Sequence, residues 1–227
     1  MKLKNESYLA IIVFAFFLWF AINMSPQILG LIYSLMALSY GWVLISKELP
    51  EFPISRTPMN ISKILFIGMA LVVGWIFVLS ATSGFFGQTM SVIGPNSVIN
   101  LLASQTAPPL ITSNVWIAMF VFGILVPIAE TFFFFGVMLP FVEDILKQRG
   151  VNMTSKTGWI VASIIIAAIM GIFHYVASMY TDFALMADFV FAFLSGMVVL
   201  YFRQLKEATA FHALANIMIL LSKFGLI

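Results

Sequence analysis

No cysteine occurs in this chain. That absence excludes disulfides and thiolate metal sites, and it leaves the redox compartment open. Charge is almost as scarce. Only 9% of the 227 residues are charged, and the formal net charge is +2, whereas an ordinary soluble domain is about 25% charged. So small a balance suggests no nucleic-acid partner, and none is expected. Internal repeats, low-complexity tracts and domain linkers are missing too. The first apolar run follows Lys2 and Lys4 as a signal peptide would, but no small-x-small cleavage site follows it. That run is read as a retained first helix.

What is present is apolar. The chain is 62% hydrophobic, against about 45–50% in soluble domains. No soluble fold of this length has enough interior to hide so many apolar side chains, and a lipid solvent removes the need. The expected fold is all-α, a polytopic transmembrane helical bundle. A spanning helix takes about 20 mostly apolar residues. Seven stretches qualify: Tyr8–Met24, Gln27–Ser46, Ser62–Ser83, Ser113–Phe141, Thr157–Tyr180, Phe183–Phe202 and Ala208–Phe224. Ser25-Pro26 marks the first turn, and Pro50, Pro53 and Pro58 mark a polar connection. The stretch Gly84–Thr112 carries Gly84, Gly87, Gly94-Pro95 and Pro108-Pro109 without a single charge. It reads as a loop on the membrane surface or partly re-entering it. Two regions follow: residues 1–110, with the first helices and that non-cytoplasmic loop, and residues 111–227.

Basic residues fix the expected orientation. With the N-terminus inside, Lys2, Lys4, Lys47, Arg56, Lys63, Lys147, Arg149, Lys156, Arg203 and Lys206 all fall on inner segments. Of the 11 basic residues only Lys223 is outside. This follows the positive-inside rule, and an odd number of spans keeps it.

Against this background a few polar residues stand out. An acidic side chain at mid-membrane costs roughly 2.5–3.5 kcal/mol on insertion scales, so such residues face the bundle interior and commonly mark function. Glu130 lies in span four, His174 in span five, Asp188 in span six, and His212 and Asn216 in span seven. The chain has 2 histidines, both inside apolar spans. One alone would be read as an interhelical hydrogen bond. Two, with a glutamate on a third helix, point to a shared site. His212 and Asn216 are four apart and project from one helix face. Such a set can work in two ways. It can hold a divalent metal such as zinc through Glu130, His174 and His212, with a position open for water. Without metal, Glu130 takes a proton from water, while a histidine or Asn216 donates to the oxyanion. Asp188 is read as an interhelical hydrogen-bonding residue in preference to a site residue. The run Phe132–Phe135 is read as packing or lipid-facing surface in preference to a prenyl groove.

At these residues the chain resembles the CPBP intramembrane protease family. That family includes type II CAAX prenyl endopeptidases and bacteriocin-processing and bacteriocin-immunity proteins. Its first motif is Glu-Glu, three residues, then Arg-Gly. Here it reads Glu130-Thr131-Phe132-Phe133-Phe134-Phe135-Gly136. The second is Phe, three residues, His, with Met170 in place of the Phe and His174 matching. Phe193-Leu194-Ser195-Gly196 fits a following Phe-x-x-Gly. His212 and Asn216 match the last motif. The resemblance spans about Val121–Leu220. It implies a membrane hydrolase cleaving a peptide bond in or beside the bilayer of a prokaryotic cell. Glu130 would activate water, His174 and His212 would hold a metal or the oxyanion, and Asn216 would assist. Thr131 and Phe135 depart from the motif, so an inactive relative that binds a membrane peptide, of the bacteriocin-immunity kind, stands as an alternative. A small proton-coupled transporter is the third reading. Partners on every reading are membrane lipids and a membrane-associated peptide or protein.

One condition follows. Counted from the inner span ends, His212 is about 5 residues deep, Glu130 about 11 and His174 about 17, steps of roughly 9 Å at 1.5 Å per residue. A shared site requires helix tilt, or a span that runs on past its apolar stretch.

Overall fold

The computed structural model describes residues 60–82, 115–178, 182–202 and 204–227. The spans expected at Tyr8–Met24 and Gln27–Ser46 and the stretch Gly84–Thr112 lie outside the described residues. Within them the regular structure is helical: α1 Ile61–Thr82, α2 Val115–Gln148, α3 Lys156–Ser178, α4 Asp182–Phe202 and α5 Lys206–Lys223. Four of these, α1 to α4, are long and apolar enough to cross a membrane. Their outward faces are apolar: Phe66 and Phe77 on α1 are 75% and 73% exposed, and Trp116 on α2 is 79% exposed. Lipid makes such a surface stable where water would not.

The helix ends follow from local chemistry. Asn60 opens α1, its Oδ1 accepting from the Lys63 N–H at 3.0 Å. Ser155 does the same for α3, with Oγ accepting from the Gly158 N–H at 3.1 Å. Gly150 closes α2 at φ +83°. Around it, the Val151 N–H reaches the Leu146 carbonyl and the Gly150 N–H that of Lys147. This pairing satisfies the last carbonyls of a helix and needs a left-handed residue, which glycine supplies without strain. The connection then folds back onto α3, where the Trp159 indole N–H donates to the Met153 carbonyl at 2.8 Å. α2 and α3 thus form a hairpin with a short, hydrogen-bonded corner.

α2 is the central element. Phe132, Phe133, Phe134 and Phe135 are consecutive, yet none is more than 2% exposed. Four successive residues point around most of a helix, so α2 is enclosed on every side at this level. α3, α4 and α5 all pack against it. The run is therefore packing surface inside the bundle, neither lipid-facing nor a groove. α3 and α4 come closest to each other through small residues. A Cβ on Gly196 would stand 2.9 Å from Ser163 Oγ, and one on Gly171 would meet Leu185. Small residues at such contacts let two helix backbones approach.

Two segments of α2, Val121–Leu125 and Phe132–Met138, are wound more widely, as π-helix. The Val126 N–H bonds to the Val121 carbonyl and the Leu139 N–H to that of Phe134, five residues back in each case. Each wide segment ends just before a proline, Pro127 or Pro140. A proline ring clashes with the carbonyl four residues earlier and offers no N–H, and a widened turn relieves both problems. Such turns cluster at functional sites, and here they bracket Glu130.

Candidate active site

The α2–α3 corner sets the heights of the first two site residues. Glu130 lies as many residues before Gln148 as His174 lies after Lys156. Arms of equal length in an antiparallel hairpin bring both to one level. The sequence reading ended this helix at Phe141. The helix runs on to Gln148 through charged residues, so Glu130 is deeper than its apolar run suggests. The condition set by depth counting is met in this way. Asp188 sits near the far end of the α3–α4 pair, at the same level as His174. His212 arrives differently. α5 lies chiefly along α1 and α2 instead of running back flush with α4, and this brings an early residue of α5 to Glu130.

Five side chains form a continuous row. Asp188 Oδ2 lies 3.3 Å from His174 Nδ1. His174 Nε2 lies 3.4 Å from Glu130 Oε1. Glu130 Oε2 lies 3.5 Å from His212 Nε2, and His212 Nδ1 lies 3.3 Å from Thr131 Oγ1. Glu130 thus gives one oxygen to each imidazole. Thr131 follows Glu130 directly, so one ring can touch both residues on adjoining faces of α2. Glu130, Thr131, His174 and His212 are all buried.

Aromatic rings frame the row. The centroid of Phe173 is 5.3 Å and that of Phe134 6.3 Å from the His174 ring. Phe191 lies 4.7 Å from the His212 ring and also packs on Phe211 and Trp75. The Trp75 indole N–H donates to the Ala187 carbonyl at 3.0 Å, tying α1 to α4 beside Asp188. An apolar wall of this kind holds water out and strengthens the polar contacts it encloses.

Three of the four residues singled out from the sequence, Glu130, His174 and His212, are brought together. Asn216 projects toward α2 from the same face of α5 as His212, but it meets backbone. Its Nδ2 donates to the Phe122 carbonyl at 2.9 Å. Continuing the wide-turn pattern, that carbonyl would take the N–H of residue 127, which is Pro127 and has none. Asn216 fills the gap. Two residues gain weight. Asp188, read as an interhelical hydrogen-bonding residue, does join two helices, but the group it meets is a site imidazole. Thr131, noted as a departure from a motif, touches His212. Equal counting from the hairpin corners is the signal that would have placed Asp188. At position 135, where the motif carries Arg, the Phe ring is fully enclosed.

A divalent metal held by Glu130, His174 and His212 requires three donors directed at one point. Here the imidazoles address different oxygens of one carboxylate. Among the described residues, no group of three or more His, Cys, Asp or Glu is arranged to hold a metal ion.

No curated protein and no solved structure matches the chain. The model of one family does: Type II CAAX prenyl endopeptidase Rce1-like matches residues 112–218, the stretch that supplies every member of the row. Residues 112–218 of this membrane protein are therefore similar to type II CAAX prenyl endopeptidases of the Rce1-like family, in agreement with the CPBP-type resemblance of its motifs.

Proposed function

We propose that the protein is an intramembrane endopeptidase that hydrolyses a peptide bond in or beside the membrane with water activated by Glu130. The observation that carries this reading is a buried carboxylate set between two imidazoles, at 3.4 and 3.5 Å. These spacings are loose, as catalytic hydrogen bonds often are before substrate binds. A water at the carboxylate would give its proton to Glu130 as its oxygen attacks the scissile carbonyl. An imidazole N–H would then donate to the oxyanion as charge develops there. The C–N bond breaks as Glu130 returns the proton to the departing amine, leaving an acid and an amine. Asn216 uses an N–H on the Phe122 carbonyl, so an imidazole carries the oxyanion in this scheme.

The family description supports a membrane-held substrate, and a prenylated C-terminal peptide is the first to test. Seven spans with the N-terminus inside belong to this reading, supported by the distribution of lysine and arginine. A prokaryotic cell membrane is its expected place, supported by the motif resemblance.

The test uses the full chain in lipid vesicles with prenylated and transmembrane reporter peptides, products identified by mass spectrometry. Glu130→Gln, His174→Ala and His212→Ala should each abolish product release. Full turnover by Glu130→Gln would overturn the mechanism. A second reading, a non-cleaving relative that holds a membrane peptide, is favoured by Thr131 and Phe135 at motif positions for Glu and Arg. It predicts retention of the reporter without product in the same assay. A proton-coupled transporter predicts proton uptake by the vesicles, and the lack of repeat symmetry counts against it.

A further inference from the structure

Asp188 is expensive where it stands. A carboxylate inside a membrane helix costs roughly 2.5–3.5 kcal/mol on insertion scales. An ordinary contact between helices needs no charge, since a hydroxyl or an amide would serve. Its Oδ2 atom is shut off from solvent, makes no hydrogen bond, and lies 3.3 Å from His174 Nδ1 as a close polar contact. That ring has its other nitrogen on Glu130. The support beneath the pair is stiff. Gly171 and Gly196 hold α3 and α4 in close contact on either side, and Trp75 anchors the carbonyl of Ala187, the neighbouring residue.

We propose that Asp188 is a positioning residue: its carboxylate, 3.3 Å from His174 Nδ1, takes up the Nδ1–H after a small turn of the ring and so keeps Nε2 directed at Glu130. A neutral imidazole carries its proton on one nitrogen or the other, and the partner of one nitrogen decides the state of the second. A carboxylate only accepts, so Asp188 keeps a proton on Nδ1, and Nε2 faces Glu130 favourably when it, or Glu130, carries a second proton. It also resists rotation of the ring about its bond to Cβ, since rotation would leave the enclosed Oδ2 atom with no polar neighbour there. An outer carboxylate orients metal-bound histidines in the same way, and losing it there commonly lowers activity about 10- to 100-fold. The geometric part stands without any assigned activity, whereas the effect on turnover rests on the endopeptidase reading.

The chain has only 2 histidines, so the full protein labelled with [15N]histidine and held in lipid nanodiscs gives two imidazole signals. His212→Gln assigns them. In the wild type, His174 should show a proton bound to Nδ1 and slow to exchange. Asp188→Ala should shift both its ring nitrogens and speed that exchange. Asp188→Asn, nearly the same shape, still offers a carbonyl oxygen and should restore the Nδ1-bound proton. Unchanged His212 resonances report that each variant is folded. In the vesicle assay, kcat should fall about 10- to 100-fold in Asp188→Ala, with KM held and partial recovery in Asp188→Asn. Ring resonances of His174 indifferent to Asp188→Ala would overturn the proposal, whatever the turnover. Full activity of Glu130→Gln would instead remove the endopeptidase reading and leave the tautomer result standing.

Discussion

His174 and His212 stand at nearly equal distances from one carboxylate, but what lies behind them differs. Behind His174 is Asp188 on α4. Behind His212 is the hydroxyl of Thr131, on the same helix as Glu130. A carboxylate can only accept, while a hydroxyl donates or accepts. His174 therefore lies between two carboxylates and serves both only with a proton on each nitrogen, whereas His212 keeps both its contacts with one proton on Nε2, its Nδ1 accepting from the Thr131 hydroxyl. One imidazole is held between two acceptors, while the other can point an N–H at Glu130 in its neutral form. The surroundings differ in kind too. The His174 side is braced by helix-to-helix contact between α3 and α4. The His212 side depends on α5, which is pinned to α2 through Asn216 and the Phe122 carbonyl.

The largest expected effect removes what the two rings share. Glu130→Gln should lower kcat by about 10²- to 10⁴-fold with helical content by circular dichroism unchanged. Turnover at the wild-type rate would break the comparison at its root. Next is a change that would make the two sides alike. Phe135→Arg places an unpaired cation in a closed aromatic core and should destabilise the fold by about 3–5 kcal/mol. Thr131→Glu, four residues earlier on the same face, should return part of that loss as non-additivity in a double-mutant cycle. Strict additivity in detergent unfolding would show that the two positions are not coupled. A smaller effect is expected from Asn216→Ala, about 1–3 kcal/mol from an unsatisfied buried carbonyl. The same substitution in a Pro127→Ala background should cost less, because residue 127 regains its N–H. Thr131→Val keeps shape and removes the hydroxyl from His212. It should cost about 1 kcal/mol and lower turnover a few-fold. Last, a chelator in the vesicle assay should change nothing, and a loss restored by zinc would overturn the metal-free scheme.

The sequence made the helices legible because lipid demands long apolar runs. α1, α3, α4 and α5 begin and end within a few residues of the stretches read from hydropathy alone. The end of α2 was not legible, because Glu143, Asp144 and Lys147 interrupt the apolar run while the helix continues. The wide turns escaped for a related reason: reasoning from a period of 3.6 assumes the turn that Pro127 and Pro140 disturb. Glu130, His174 and His212 could be recognised as costly residues in a lipid solvent. Their grouping was expected from residue type, but their common level was not legible, since depth counted from apolar boundaries puts them on different levels. The partners Asp188 and Thr131 depended on register, which side-chain types do not encode. Asn216 was legible as a neighbour of His212 on one face, but its acceptor is a carbonyl exposed by a proline nearly ninety positions away.

The corner at Gly150 acts as a caliper. Because acid and imidazole are matched by the lengths of two arms, one residue inserted between Glu130 and Gln148 would displace the carboxylate by about 1.5 Å and turn it by roughly 100°. The same insertion in the opposite arm, between Lys156 and His174, would undo the match equally. Both inserted together would restore the level but not the facing. Lengthening the hydrogen-bonded corner itself moves the two arms far less. Changes of length in this half of the chain should therefore be tolerated at the corner and refused along the arms.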